Sequence, residues 1–273
     1  MMIKLIVSDL DGTLLQRGHH IHDKDRAALH RALESGVQLC FASGRMHPEI
    51  VHVMEELQLK VHSVSQNGAY VHSSNGKLLQ QDTFDTALIR ELATVALAMP
   101  LVTVMCAPDH YVLTELNERN AHIKDNLLAP LHIMPNAIEA IGSELMCGKI
   151  TYLGEIEHLL VLQKQLLGTY GERIDAYISD VDCLDVMPRH VSKGTGLRAL
   201  QQHLGILPEE TVCIGDSFND VPMFAVTPNS FAMAHSHPEL KAKAAREAAS
   251  VADAVAWALQ AAEDDPLGEK AAL

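Results

Sequence analysis

Residues 3–13 read Ile3-Lys4-Leu5-Ile6-Val7-Ser8-Asp9-Leu10-Asp11-Gly12-Thr13. The first six are rich in β-branched residues (Ile3, Ile6 and Val7) and mostly apolar, the pattern of a strand covered on both faces. Two carboxylates stand at its end. Alternation along an extended chain puts Asp9 and Asp11 on one side, with Leu10 pointing away. Held that close, they repel unless a cation sits between them or one takes up a proton. Taken alone, the segment reads equally well as an acid-rich surface turn, because Asp and Gly favour turns.

Outward from that strand, a helix is expected from about Lys24 to Ser35. Asp23 is its N-cap candidate, Ala28, Leu29, Ala32 and Leu33 form its apolar stripe, and Gly36 stops it. Val37–Ala42 reads as a second buried strand, and Pro48 opens a helix ending near Leu57. Strand, helix, strand, helix at this spacing predicts a parallel α/β sheet. Near Val61 the pattern changes. Tyr70-Val71-His72 and Lys77-Leu78-Leu79 flank Asn75-Gly76, a hairpin signal. Residues 82–185 alternate hairpin-like strands with helices and contain none of the strand-end motifs that carry chemistry, so they read as an inserted domain. The α/β pattern resumes after Pro188, with a helix over about Gly194–Leu204 and strands at Thr211–Ile214 and Ser230–Ala234. The Ala-rich region Pro238–Gln260 reads as largely helical, and the acidic tail Glu263-Asp264-Asp265-Pro266 is expected to fray.

Composition narrows the function classes. A chain of 273 residues suits two modest domains, each able to bury its own core. A formal charge of −14, with no Lys/Arg run, argues against nucleic acid and anionic membrane as partners. Aromatics at 4% argue against a surface that stacks bases. The five cysteines (Cys40, Cys106, Cys147, Cys183 and Cys213) are odd in number, widely spaced and without a CxxC pair, which reads as buried thiols in a reducing compartment. No apolar stretch approaches the length that spans a bilayer, and a cytoplasmic location is expected.

Three further segments stand at strand ends or helix starts, where open α/β sheets place their ligands. Ser43-Gly44-Arg45 offers a hydroxyl and backbone N–H groups beside a helix start, an anion site or a bare cap. Lys193 precedes Gly194-Thr195-Gly196, where a lysine is either solvated or neutralises a phosphate oxygen. Gly215-Asp216-Ser217-Phe218-Asn219-Asp220 packs two acids and an amide into one loop, an Asx-rich turn or half of an all-oxygen site suited to Mg²⁺.

In this order the four segments resemble the motifs of the haloacid dehalogenase-like phosphatases: DxD, Ser/Thr, Lys and GDxxND. DLDGTLL, SGR, QNGAY at Gln66–Tyr70, VSKGTGL at Val191–Leu197 and GDSFNDVPMF at Gly215–Phe224 narrow the similarity to the Cof-type subfamily. It spans nearly the whole chain. The resemblance implies an α/β fold, with a three-layer Rossmann-like core and mostly parallel sheet over residues 1–81 and 186–273. It also implies an inserted α+β cap over 82–185 that closes over the site and selects the substrate. Asp9 is implied as nucleophile and metal ligand. Asp11 is implied as general acid and base, lending its backbone carbonyl to the metal. Ser43, Lys193, Asn219 and the Leu10 and Gly44 backbone would hold the phosphoryl group. Asp216 would bind Mg²⁺ directly, with Asp220 orienting the first ligands. The implied reaction is Mg²⁺-dependent hydrolysis of small phosphorylated metabolites through an aspartyl phosphate, in a monomer or homodimer. Sugar phosphates, nucleotides, flavin mononucleotide and pyridoxal phosphate all remain open.

Two alternatives stand beside this reading: a phosphomutase using the same aspartyl phosphate, and a catalytically idle module that senses a phosphorylated ligand. Two segments depart from the subfamily. Its usual AMGNA is Ala232-Met233-Ala234-His235-Ser236 here, and its last strand is not evident between Ala245 and Val255. His19-His20-Ile21-His22 lacks a Cys or acid at zinc spacing and reads as a solvated flap. Asn67 either approaches the phosphate or turns the chain before Gly68.

Overall fold

The structure, a computed structural model, describes residues 2–16, 20–118, 120–125 and 127–263. His19 of the histidine cluster and residues 264–266 of the acidic tail lie outside them. In chain order the elements begin with β1 (Leu5–Ser8), α1 (Asp23–Glu34), β2 (Gln38–Ala42), α2 (His47–Leu57), β3 (His62–Ser65), β4 (Tyr70–His72) and β5 (Leu78–Gln81). Next come α3 (Thr86–Val95), β6 (Val102–Cys106), β7 (Tyr111–Leu113), β8 (Leu131–Ile133), α4 (Ala137–Ala140), β9 (Lys149–Leu153), α5 (Ile156–Tyr170), β10 (Ile174–Asp180) and β11 (Cys183–Pro188). The last are α6 (Lys193–Leu204), β12 (Thr211–Gly215), α7 (Val221–Phe224), β13 (Asn229–Met233), α8 (Pro238–Lys241), β14 (Arg246–Ala248) and α9 (Val251–Glu263).

Two compact units result: Met1–Arg45, Ile50–Gln80 and Ser192–Leu273 form the first, and Met46–Glu49 with Gln81–Val191 the second. The sheet of the first runs β14-β13-β12-β1-β2-β3-β4-β5 among the described residues. Its strands are parallel from β14 to β3, and β4 is antiparallel to β3. Pleating sends alternate residues to opposite faces. Ile6, Leu39, Phe41, Val212 and Ile214 pack in one core with Leu29, Val53 and Val255 from α1, α2 and α9. Leu5, Val7, Cys40 and Cys213 pack in another with Leu197, Leu200, Met223 and Leu240 from α6, α7 and α8. This is the three-layer α/β core, and covering both faces is why β1 is apolar at every position but its last. Because the strands run parallel, the carboxyl ends of β1, β2, β3 and β12 all open on one edge.

The Ala-rich stretch Pro238–Gln260 is not one helix. α8 ends at Lys241, and β14 pairs in parallel with β13, with Ala234 N donating to Ala248 O over 2.8 Å. Alanine's helix propensity is worth only tenths of a kcal/mol per residue. Here it loses to an edge strand that buries Ala248 and sets the Arg246 guanidinium 4.3 Å from the Trp257 ring centre. Ser250 then starts α9, its hydroxyl accepting from Asp253 N over 3.3 Å. α1 also starts one residue earlier than expected: Asp23 is helical and His22 is the cap. Asp25, in the same first turn, accepts instead from Ala252 N over 2.7 Å and ties α1 to the start of α9.

In the second unit the sheet order is β10-β11-β9-β6-β7-β8, antiparallel except for β7 with β8. Leu88 and Leu92 of α3 and Leu159, Leu162 and Leu166 of α5 pack with Ile150, Tyr152, Leu184 and Val186 of β9 and β11. The intervening residues of those strands form a buried polar cluster. Lys149 Nζ lies 3.2 Å from Asp185 Oδ2, and the Thr151 hydroxyl donates to Asp185 Oδ1 over 2.6 Å. All five cysteines carry free thiols, and all but the half-buried Cys183 are buried. No helix among the described residues is long and apolar enough to cross a membrane.

Candidate active site

Asp9 follows β1, and its N–H donates to Ile214 O over 2.9 Å, holding it against β12. Its carboxylate is buried. The chain then turns sharply, with Thr13 N and Leu15 N both donating to Leu10 O. Gly12 adopts a φ of 83°, and a Cβ there would stand 2.3 Å from Asp216 Oδ2. Only glycine suits both demands. Asp9 and Asp11 then take different partners. The exposed Asp11 carboxylate accepts twice from Arg45, Nε to Oδ2 at 2.8 Å and Nη2 to Oδ1 at 2.6 Å.

Lys193 opens α6, whose cap is Ser192 in a reciprocal box with Thr195. Its side chain is 1% exposed, and its ammonium donates to Asp9 Oδ1 over 2.6 Å and to Asp220 Oδ1 over 2.7 Å. The other Asp220 oxygen accepts from Asp216 N (2.9 Å) and Ser217 N (3.0 Å). Gly215 makes this possible, since a Cβ there would lie 2.4 Å from Asp220 Cγ. Thr13 donates its hydroxyl to Asp216 Oδ1 over 2.9 Å. One carboxylate oxygen from each of Asp9, Asp216 and Asp220 falls within 4.8 Å of the others.

Three carboxylates against one ammonium leave two negative charges unbalanced. Burial, then the Asp220 carboxylate, push the Asp9 carboxyl well above its usual range, with Lys193 opposing. Asp216 is raised too, first by burial. Burial works against the Lys193 ammonium, but Asp220 and Asp9 outweigh it and raise its pKa. An all-oxygen cluster with two surplus charges fits a hard divalent cation.

Ser43, buried at the end of β2, accepts from Arg45 N through its hydroxyl over 3.2 Å. Gly44 packs beside Asn67, and Asn219 Nδ2 donates to Asn67 Oδ1 over 3.1 Å. Of the two readings the sequence left open for Asn67, the structure shows the turn, at φ 53°, and beside it a contact between its carboxamide and that of Asn219. Sequence reasoning assigned no role to Arg45, although it stood in the quoted Ser43-Gly44-Arg45. It also passed over Thr13, and it missed His235, whose Nε2 lies 3.7 Å from Asp216 Oδ2. The signal for His235 was its departure from AMGNA. His20 and His22 are exposed and join no metal-binding group among the described residues.

A model of haloacid dehalogenase-like hydrolases matches residues 6–259. The chain belongs to that family. This haloacid dehalogenase-like hydrolase is 30% identical over 246 residues to a protein of Escherichia coli O6:H1 named HMP-PP phosphatase, covering 89% of this chain and 88% of the relative. Among solved structures, a haloacid dehalogenase-like hydrolase from Bacteroides thetaiotaomicron superposes with a TM-score of 0.82 at 23% identity, over 93% of this chain and 99% of that one. A Thermotoga maritima protein gives 0.81 at 23% identity, over 94% and 96%. These two likenesses concern the fold.

Proposed function

We propose that this hydrolase is a Mg²⁺-dependent phosphatase of small phosphorylated metabolites, working through an aspartyl phosphate on Asp9. The observation that carries it is the buried Lys193 bridge between Asp9 and Asp220, with Asp216 alongside and two negative charges left over. That surplus of negative charge suits a divalent cation, not an ordinary core. The relative named HMP-PP phosphatase supports a small phosphorylated substrate.

Asp9, Asp216 and the Asp11 backbone carbonyl would hold Mg²⁺, with Asp220 orienting them through the Asp216 backbone. Bound there, Mg²⁺ supplies charge screening that lets an anionic nucleophile approach a phosphate dianion. Ser43, Lys193, Asn219 and the Leu10 and Gly44 backbone hold the phosphoryl oxygens. An Asp9 carboxylate oxygen bonds to phosphorus as the ester P–O bond breaks, and Asp11 gives its proton to the departing oxygen. Asp11, now a carboxylate, takes a proton from water, whose oxygen attacks phosphorus. The aspartyl P–O bond breaks, releasing inorganic phosphate and restoring Asp9. For its first step Asp11 needs one oxygen back from Arg45, which holds both. Substrate choice is assigned to the inserted second unit, residues 81–191 with 46–49.

The test is phosphate release across a panel of phosphorylated metabolites, with Mg²⁺ and with chelator, for wild type and Asp9→Asn. The proposal expects release with Mg²⁺ that stops with chelator and in the variant. Isomerised sugar phosphate without release identifies a mutase. Tight ligand binding without turnover identifies a sensing module.

A further inference from the structure

Between β3 and β4, three consecutive residues take positive φ: Gln66 at 46°, Asn67 at 53° and Gly68 at 109°. Glycine does so freely, whereas two successive non-glycine residues there are strained, and the surroundings must hold them in place. The holding contacts lead to the segments that carry the residues proposed above to grip phosphate. Gln66 N donates to Arg45 O and Asn67 N to Ser43 O, each over 2.9 Å, which clips the turn onto the Ser43-Gly44-Arg45 loop. A Cβ at Gly44 would stand 3.3 Å from both terminal atoms of the Asn67 carboxamide. Asn67 Oδ1 accepts from Asn219 Nδ2, and Asn219 Oδ1 is buried without a partner among the described residues. On the other side, a Cβ at Gly68 would stand 2.1 Å from Ser192 O and 3.3 Å from Lys193 N. One turn thus touches three separate chain segments: 43–45, 192–193 and 219.

We propose that the left-handed Gln66-Asn67-Gly68 turn is the positioning element of the phosphoryl-holding loops, the Asn67 carboxamide setting the orientation of Asn219 and the seating of Gly44. This rests on the phosphatase reading. A merely structural turn would need its backbone conformation but not an amide facing Asn219. Asn67 is a positioning residue, because it acts on Asn219 and on the Gly44 loop.

Substitution by glycine separates the two roles. Asn67→Gly keeps the left-handed backbone, indeed more easily, and removes only the carboxamide. Asn67→Ala removes the carboxamide and also disfavours the conformation. The measurements are thermal midpoint, kcat and KM for a chromogenic phosphate monoester with Mg²⁺, and affinity for inorganic phosphate. Asn67→Gly is expected to melt at or above the wild-type midpoint while kcat/KM falls about 10- to 100-fold, the usual loss for an outer orienting partner. Phosphate affinity should weaken alongside it. Asn219→Ala should cost less in the Asn67→Gly background than in wild type, because coupled residues are not additive. Asn67→Ala should show the same kinetic loss with a lower midpoint. Wild-type kcat, KM and phosphate affinity in Asn67→Gly would overturn the inference and leave the phosphatase reading standing, as would losses that simply multiply with Asn219→Ala. A wild type that releases no phosphate from any ester sinks both.

Discussion

Lys193 Nζ lies 2.6 Å from Asp9 Oδ1, a pair so buried that neither side chain exceeds 5% exposure. A buried ion pair gains less from its attraction than from the avoided cost of leaving one charge alone. Lys193→Met leaves Asp9 and Asp220 facing each other with no cation between them. The expected loss is about 3–5 kcal/mol in unfolding free energy, together with loss of turnover. Denaturant unfolding without Mg²⁺ measures it, and a variant as stable as wild type would show that the carboxylates are neutral in the fold.

Mg²⁺ itself should act on stability as well as on rate. A ligand that binds only the folded state at 100 times its Kd stabilises by about 2.7 kcal/mol. The thermal midpoint should therefore rise by several degrees on adding Mg²⁺ and fall back with chelator. Asp216→Asn, which removes one charge from the cluster of three, should flatten that response. An equal rise in the variant would place the cation elsewhere.

Gly12→Ala addresses the same cluster from the backbone. The substitution adds strain at a φ of 83° and drives a methyl onto Asp216 Oδ2. Strain alone costs about 1–3 kcal/mol, and displacing Asp216 should remove the Mg²⁺-dependent melting shift. Retention of both stability and shift would mean that the turn can rebuild itself.

A pH effect is expected in the second unit. Asp85 caps α3 by accepting from Leu88 N over 2.9 Å and pairs with Arg173 at 2.7 Å. The Leu88 N–H above all, with help from Arg173 and against some burial, holds the Asp85 carboxyl below its usual range. A depressed carboxyl stabilises the fold above its unfolded pKa and stops doing so as the pH drops through its folded one. Asp85→Ala should therefore cost about 1 kcal/mol near neutrality, and the gap to wild type should close in acid below about pH 4. Because both side chains are about half exposed, added salt should trim the gap. A gap independent of pH would assign the cost to packing.

Where sequence reasoning went astray, a local preference met a partner distant in the chain. The segment around Arg246–Ala248 is alanine-rich and helix-prone, but the free edge of β13 and the ring of Trp257 recruit it as a strand. Asp11 stands two residues past Asp9 with no local sign of Arg45, which is 34 positions away and takes both oxygens of its carboxylate. Asn67 reads as half of an Asn-Gly turn, and nothing near it in sequence reveals Asn219, which is 152 positions away.

The sequence alone was enough for the alternation of apolar strands with amphipathic helices, and hence for the parallel α/β core. It was also enough for the order of acids, hydroxyl and lysine that marks the family. Hydrophobic periodicity and turn chemistry are local, so they survive in a one-dimensional string. Only the tertiary structure decided that Lys193 lies between Asp9 and Asp220, that Arg45 closes on Asp11, and that one left-handed turn braces three separate segments. Those contacts depend on strand register and on the space glycine leaves at positions 12, 68 and 215, and both exist only once the sheet is assembled.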